Sequence, residues 1–275
     1  MNVSGWVKAA GKALQKYRPV TCEFCGAETL SGGSVTFCSN CESIVGTESK
    51  TMESSNPALS SAIVSIRSAV LKNDFESASA AYDELLMVRQ SPQLLYARGL
   101  MLTEYSNYTV SQISYDGEGF MERNSELRRK GSLLISEAKR LIAKSLSMSE
   151  KDANEAPTAY VFYRMFLCSL KMNDLRAAND TLGRISKLAN DDTVAAYARI
   201  AFDTYVGRNK EAERGLDRLL KTGNAPANAF YYAAFNAFKL GDHKGAEHIL
   251  VEAGDLIDGS RKVNLLQSIR QAGLQ

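Results

Sequence analysis

Apolar residues at spacings of three and four open the chain. Val3, Trp6, Val7, Ala10, Leu14 and Tyr17 fall on one face of a helix over about residues 3 to 18, with Lys8, Lys12 and Lys16 along a second, basic stripe. Gly5 and Gly11 weaken that helix in isolation, so its small apolar face is expected to pack on the rest of the protein. The competing use is contact with a membrane surface or a partner through Trp6, Lys8, Lys12 and Lys16. The helical period then stops until Leu59, beyond a polar stretch of small residues, Gly46 to Pro57, that reads as a linker. From Leu59 it persists, with Pro57, Pro92, Pro157 and Pro226 standing where one helix pair ends and the next starts. Val263, Leu265, Leu266 and Ile269 predict a closing helix. The expected organisation is a basic amphipathic helix over 1–19, a cysteine module over 20–46, a linker over 47–57, a helical array over 58–258 and a capping helix over 259–275.

The array has an internal period. Asn73-Asp74-Phe75-Glu76-Ser77-Ala78 aligns with Asn173-Asp174-Leu175-Arg176-Ala177-Ala178, with Gly207-Arg208-Asn209-Lys210-Glu211-Ala212 and with Gly241-Asp242-His243-Lys244-Gly245-Ala246. Ala178, Ala212 and Ala246 are 34 residues apart. A small residue where helices cross allows close packing, and Gly or Asn in the turn tolerates a left-handed backbone. This stretch resembles the tetratricopeptide repeat, whose period is 34. The likeness is carried further by Ala227, Phe230, Tyr231 and Ala234 in the last unit and by Phe75, Ala78 and Tyr82 in the first. The resemblance implies an all-α, right-handed solenoid of about five repeats with a concave face that binds a peptide or helix. It would place Tyr96, Tyr160, Tyr163, Tyr197, Tyr231, Phe235 and Phe238 on or near that face. The lysine, asparagine and arginine clamp of one subgroup is incomplete around Arg67, Arg98 and Arg164, so its carboxylate-tail function is not carried over. Two departures stand out. An insertion near 109–133 reads as a mobile loop running into an extended helix with a basic cluster at Arg123, Arg128, Arg129 and Lys130. Arg199 and Asp203 occupy apolar places and suggest an irregular helix.

Cys22, Cys25, Cys38 and Cys41 read C-x2-C, twelve residues, C-x2-C. Two tight turns can each point two sulfurs at one centre, giving a tetrathiolate site suited to Zn2+ with no open coordination position, hence structural rather than catalytic. Disulfide or redox use of the four is the alternative, and it requires an oxidising compartment or a thioredoxin-like surround. Residues 20–46 resemble a small β zinc ribbon, with Glu42 standing where many ribbons have glycine. Between Arg18 and Lys50 there is no basic residue, while Glu23, Glu28, Glu42 and Glu48 are acidic, so this ribbon is expected to repel nucleic acid and to pack on protein through Phe24, Val35 and Phe37.

Charge adds little else. The 275 residues carry 33 Lys plus Arg against 31 Asp plus Glu, an ordinary balance that gives no support to general polyanion binding. No apolar run predicts a membrane span, and no export signal is read at the N-terminus, which makes the cytoplasm the expected location. His243 and His248 are five residues apart and off a common helix face, and Cys168 reads as a buried small hydrophobe, so no enzyme is expected. The expected function is a non-catalytic adaptor binding a protein or peptide, self-association included. A nucleic-acid-associated factor using the ribbon and a membrane-surface adaptor using the first helix are the alternatives. Metal removal is expected to unfold only the first 46 residues.

Overall fold

The computed structural model describes residues 2–32, 35–45, 57–114, 119–188, 192–223, 225–257 and 259–272; Gly33, the linker before Pro57 and residues 115–118 of the insertion lie outside them. Most of the described chain is helical, in twelve α-helices, with four short strands beside the cysteines. The first helix, α1 (Val3–Lys16), leads into β1 (Arg18–Thr21), β2 (Glu28–Ser31), β3 (Thr36–Phe37) and β4 (Ile44–Val45). The strands form two antiparallel pairs, with Pro19 opposite Leu30 in one and Phe37 opposite Ile44 in the other.

The remaining helices are α2 (Pro57–Leu71), α3 (Phe75–Val88), α4 (Pro92–Ser111), α5 (Phe120–Glu155), α6 (Ala159–Lys171), α7 (Leu175–Leu188), α8 (Asp192–Tyr205), α9 (Asn209–Lys221), α10 (Ala227–Lys239), α11 (His243–Ala253) and α12 (Gly259–Ala272). Local chemistry sets many of these boundaries. Asp74, Ser91, Thr158 and Asp242 each accept a hydrogen bond from a backbone N–H in the first helical turn, satisfying a donor the helix cannot. The stops recur: Asn73, Asn173, Gly207 and Gly241 all sit at positive φ, between 58° and 86°. The next residue's N–H closes onto the carbonyl of Ala69, Ser169, Asp203 or Ala237, at 2.7–2.9 Å. Such short turns force α2/α3, α6/α7, α8/α9 and α10/α11 antiparallel; with α4/α5, joined by a longer segment, they pack as pairs, each against the next. Ala78, Ala178, Ala212 and Ala246 lie at the start of the second helix of a pair and are fully buried.

Two expectations about the array need correction. The 109–133 segment is mostly helix, because α4 continues to Ser111 and α5 begins at Phe120 and runs for 36 residues, about 54 Å. Its interface is polar and small, which hid it from a hydrophobic pattern. Asn124 bonds the N–H and carbonyl of Ser114, and Ser106 Oγ donates to the Gly131 carbonyl at 2.9 Å. A β-carbon on Gly131 would meet Val110 Cγ2 at 2.9 Å. Likewise α8 is a regular helix despite Arg199 and Asp203; the buried Asp203 carboxylate is paired with Arg199 at 2.9 Å and Arg208 at 3.7 Å.

Helix α1 packs mainly on α11, and also on α10, α9 and the 3-10 turn Gly254–Leu256. Trp6 has no exposed surface and meets Phe230 edge-on, with centroids 5.2 Å apart. Tyr17 Oη donates to the Ala225 carbonyl, and Asn2 N–H donates to Asp217 Oδ1 at 3.3 Å. The apolar face that a membrane would need is largely spent on the protein itself, with Trp6, Ala10 and Ala13 buried, while Lys8, Lys12 and Lys16 are exposed together with Leu14. Trp6→Ala should lower the unfolding free energy by about 3–5 kcal/mol in a denaturant titration, the range for emptying an aromatic site in a core. Replacing each of Lys8, Lys12 and Lys16 by Gln should move it by no more than about 0.5 kcal/mol per site.

Candidate metal centre

The four cysteines lie on two turns built alike. Cys22 follows β1, its N–H donates to the Ala27 carbonyl at 2.9 Å, and Gly26 N–H returns to the Cys22 carbonyl at 2.9 Å. Sixteen residues on, Cys38 N–H donates to the Ser43 carbonyl at 2.8 Å and Glu42 N–H to the Cys38 carbonyl at 3.1 Å. Gly26 and Glu42 hold the same left-handed backbone, φ 72° and 61°. For glutamate that conformation costs about 1–2 kcal/mol, so surrounding contacts must hold it. Gly26 has a second reason to be glycine: a β-carbon there would lie 2.4 Å from the Ile63 carbonyl oxygen of α2. Thr29 and Ser39 tie the two turns together, with Thr29 Oγ1 donating to the Phe37 carbonyl and Ser39 Oγ to the Glu28 carbonyl.

All four Sγ atoms are buried and lie within 4.8 Å of one another. The Cys22–Cys41 and Cys25–Cys38 sulfurs are 3.7 and 3.5 Å apart. A tetrahedron with metal–sulfur bonds of about 2.3 Å has edges of about 3.8 Å, whereas a disulfide needs about 2.05 Å. Asn40 and Cys41 aim backbone N–H groups at Cys38 Sγ, at 3.4 and 3.5 Å, which favours a thiolate there. The donor set fits a metal ion and is consistent with zinc. Burial pushes the Cys22 and Cys38 thiols well above their usual range, so a cation must displace protons that the site otherwise holds. The fifth cysteine stands apart: Cys168 on α6 is pushed up to about 11 by burial and touches Ser145.

The ribbon does not project from the array; it lies among the helices. Its first turn meets the first pair, where Tyr82 Oη of α3 donates to the Phe24 carbonyl at 3.2 Å. Its second turn meets α6, α8 and α10. Phe37 stacks on Tyr197, with centroids 4.1 Å apart and planes at 25°, and meets Tyr163 edge-on at 5.3 Å. Asn228 Nδ2 donates to the Cys38 carbonyl at 2.7 Å. Tyr163 Oη donates to the Glu42 carbonyl at 3.2 Å, and Tyr232 Oη to the Glu42 carboxylate at 3.0 Å. Cys22, Phe24, Cys25, Cys38 and Cys41 belong to the apolar core of the first helix pairs, while Val35, Phe37 and Ile44 belong to the core of the later ones, with Trp6.

This arrangement corrects the open groove expected from the sequence. Tyr96, Tyr163 and Tyr197 are sealed, at 3%, 0% and 0% exposure, the last two under Phe37 of the ribbon. Tyr160 is 41% exposed, and Tyr231, Phe235 and Phe238 on α10 are half-buried. Asn228, Tyr232 and Tyr82 were not singled out as site residues from the sequence, since nothing local marks them; Glu42 was legible only as a missing glycine. Arg98 and Arg164 pair with Asp83 and Asp152 and form no clamp. Compared with known proteins, the chain matches no family model, no curated protein and no solved structure.

One divalent ion per chain is expected by elemental analysis, and Cys41→Ser should abolish stoichiometric retention. Affinity should fall on acidification, as protons compete for the thiolates. Cys168 works on the alkaline side: its thiol ionises from about pH 9 in the unfolded chain but only near 11 when folded, so it disfavours the fold increasingly between those values. Cys168→Ala should flatten part of the stability loss seen between pH 9 and 11.

Proposed function

We propose that the chain is a non-catalytic adaptor. In this reading its helix pairs form a tetratricopeptide-like right-handed solenoid of about five units, the cysteines bind a structural zinc ion, and a protein or peptide segment docks on the inner face left free by the ribbon. The repeat reading is supported by the left-handed turns at 173, 207 and 241, spaced by 34, with the same closing hydrogen bond after each. The carrying observation for binding is the strip on α10. Tyr231 and Phe235 stack at 6.1 Å, Lys239 lies over Phe235 and Phe238 at 5.3 and 5.7 Å, and all three rings are only half-buried. Rigid rings with a nearby cation give large contact area at small entropic cost and suit an apolar segment bearing an acid.

The alternatives lose ground on location. A ribbon with no basic residue between Arg18 and Lys50 and with its knuckles turned into the helices offers phosphates little. No helix among the described residues is long and apolar enough to cross a membrane, and Trp6, Ala10 and Ala13 of α1 are already buried in the protein. A photo-crosslinking residue at Tyr231 or Phe235 of the full chain should capture one defined protein from the native host, and Phe238→Ala should weaken capture. Equal labelling from a control crosslinker at Arg129 on α5, or none at all, would sink the reading.

A further inference from the structure

The ribbon is held the way a guest would be held. Across segment 37–42, the array's polar contacts from Asn228, Tyr163 and Tyr232 go to two backbone carbonyls and one carboxylate, and its main apolar contact is a single aromatic ring between two tyrosines. Recognition of this kind reads a bent backbone with an aromatic side chain and an acid, and little else of the sequence. Asn228 is 2% exposed, yet among the described residues its Oδ1 has no hydrogen-bond partner, an acceptor that a segment with an N–H at that point would fill. The seat also continues into the open strip, because Tyr232 meets Tyr231 edge-on at 5.9 Å.

We infer that segment 37–42 is an intramolecular stand-in for a guest, and that emptying the metal site opens the inner face to a protein segment carrying an aromatic side chain and, five residues on, a carboxylate. The inference rests on the adaptor reading above and deepens it. The physical basis is competition. A tethered ribbon acts at an effective concentration on the order of millimolar, so while it is folded a guest binds only in the small open fraction, and its apparent affinity is divided by that fraction. Some thirty residues with so little core of their own fold only with the ion; without it the ribbon no longer presents Phe37 and Glu42 in register, and the tyrosines become available.

The test uses the full chain, metal-loaded or chelated, and a fluorescein-labelled peptide of residues 35–45 carrying C38S and C41S, followed by anisotropy and far-UV circular dichroism. The chelated chain should bind the peptide at least about tenfold more tightly than the loaded chain, and Phe37→Ala in the peptide should cost about thirtyfold, as for a hot-spot aromatic. Helical signal should fall by no more than the 14 residues of α1. A full-chain Phe37→Ala variant, still metal-loaded, should bind the peptide where the unaltered loaded chain does not. Equal binding by loaded and chelated chains overturns the inference. So does absence of binding by both the chelated chain and the variant, or helical loss beyond α1 on chelation. Those outcomes overturn this inference and leave the adaptor reading standing, whereas failed capture at Tyr231 and Phe235 sinks the adaptor reading.

Discussion

Four sulfurs lie within 4.8 Å of one another and are hidden from water, so as thiolates they would repel each other and lack hydration unless a cation sat at their centre. The rest of the molecule is arranged around that cluster. It fixes two turns, the turns aim Phe37 and Glu42 outward, and those two side chains find rings and hydroxyls on α6, α8 and α10. Glu42 shows how the parts depend on each other. Its left-handed backbone is unfavourable alone, and tyrosines of the array hold both its carbonyl and its carboxylate.

What the sequence made legible was local. The spacing of apolar residues marked the helices, including α1 and α12, and the Asn and Gly turns marked where they stop, because those signals are fixed by backbone geometry within a few residues. The cysteine spacing located the four-sulfur cluster for the same reason: each turn is five residues long and carries its own hydrogen bonds. Even the inward packing of α1 could be anticipated, since a face as small as Trp6, Ala10 and Ala13 suits a protein groove better than a membrane.

What stayed hidden was non-local or polar. Nothing near Tyr197 says that Phe37, 160 residues away, will cover it, and aromatic residues at helical spacing read equally well as a groove or as its filling. The long hairpin of α4 and α5 escaped because asparagine, serine and glycine pack its far end, and a pattern that counts apolar positions sees only a loop. Asp203 misled in the opposite sense. A buried acid suggests a broken helix until Arg199 and Arg208 are placed beside it, and their positions depend on the turn after α8.

A stack of helix pairs touching only neighbours can vary its curvature at little cost, since no contact joins its ends. The ribbon removes that freedom. It touches α2 and α3 through Gly26 and Phe24, and α10 through Cys38 and Glu42, so it bridges the first and last helix pairs like a strut. Those bonds also join residues far apart in sequence, as between Cys38 and Asn228, 190 positions on, whereas each helix pair closes over a few dozen. Loop-closure entropy therefore places the pairs first and the strut last in folding. Until the ion binds and the strut seats, the tyrosines of the inner face are exposed, and the same rings that later anchor the ribbon are then the surface most open to other chains.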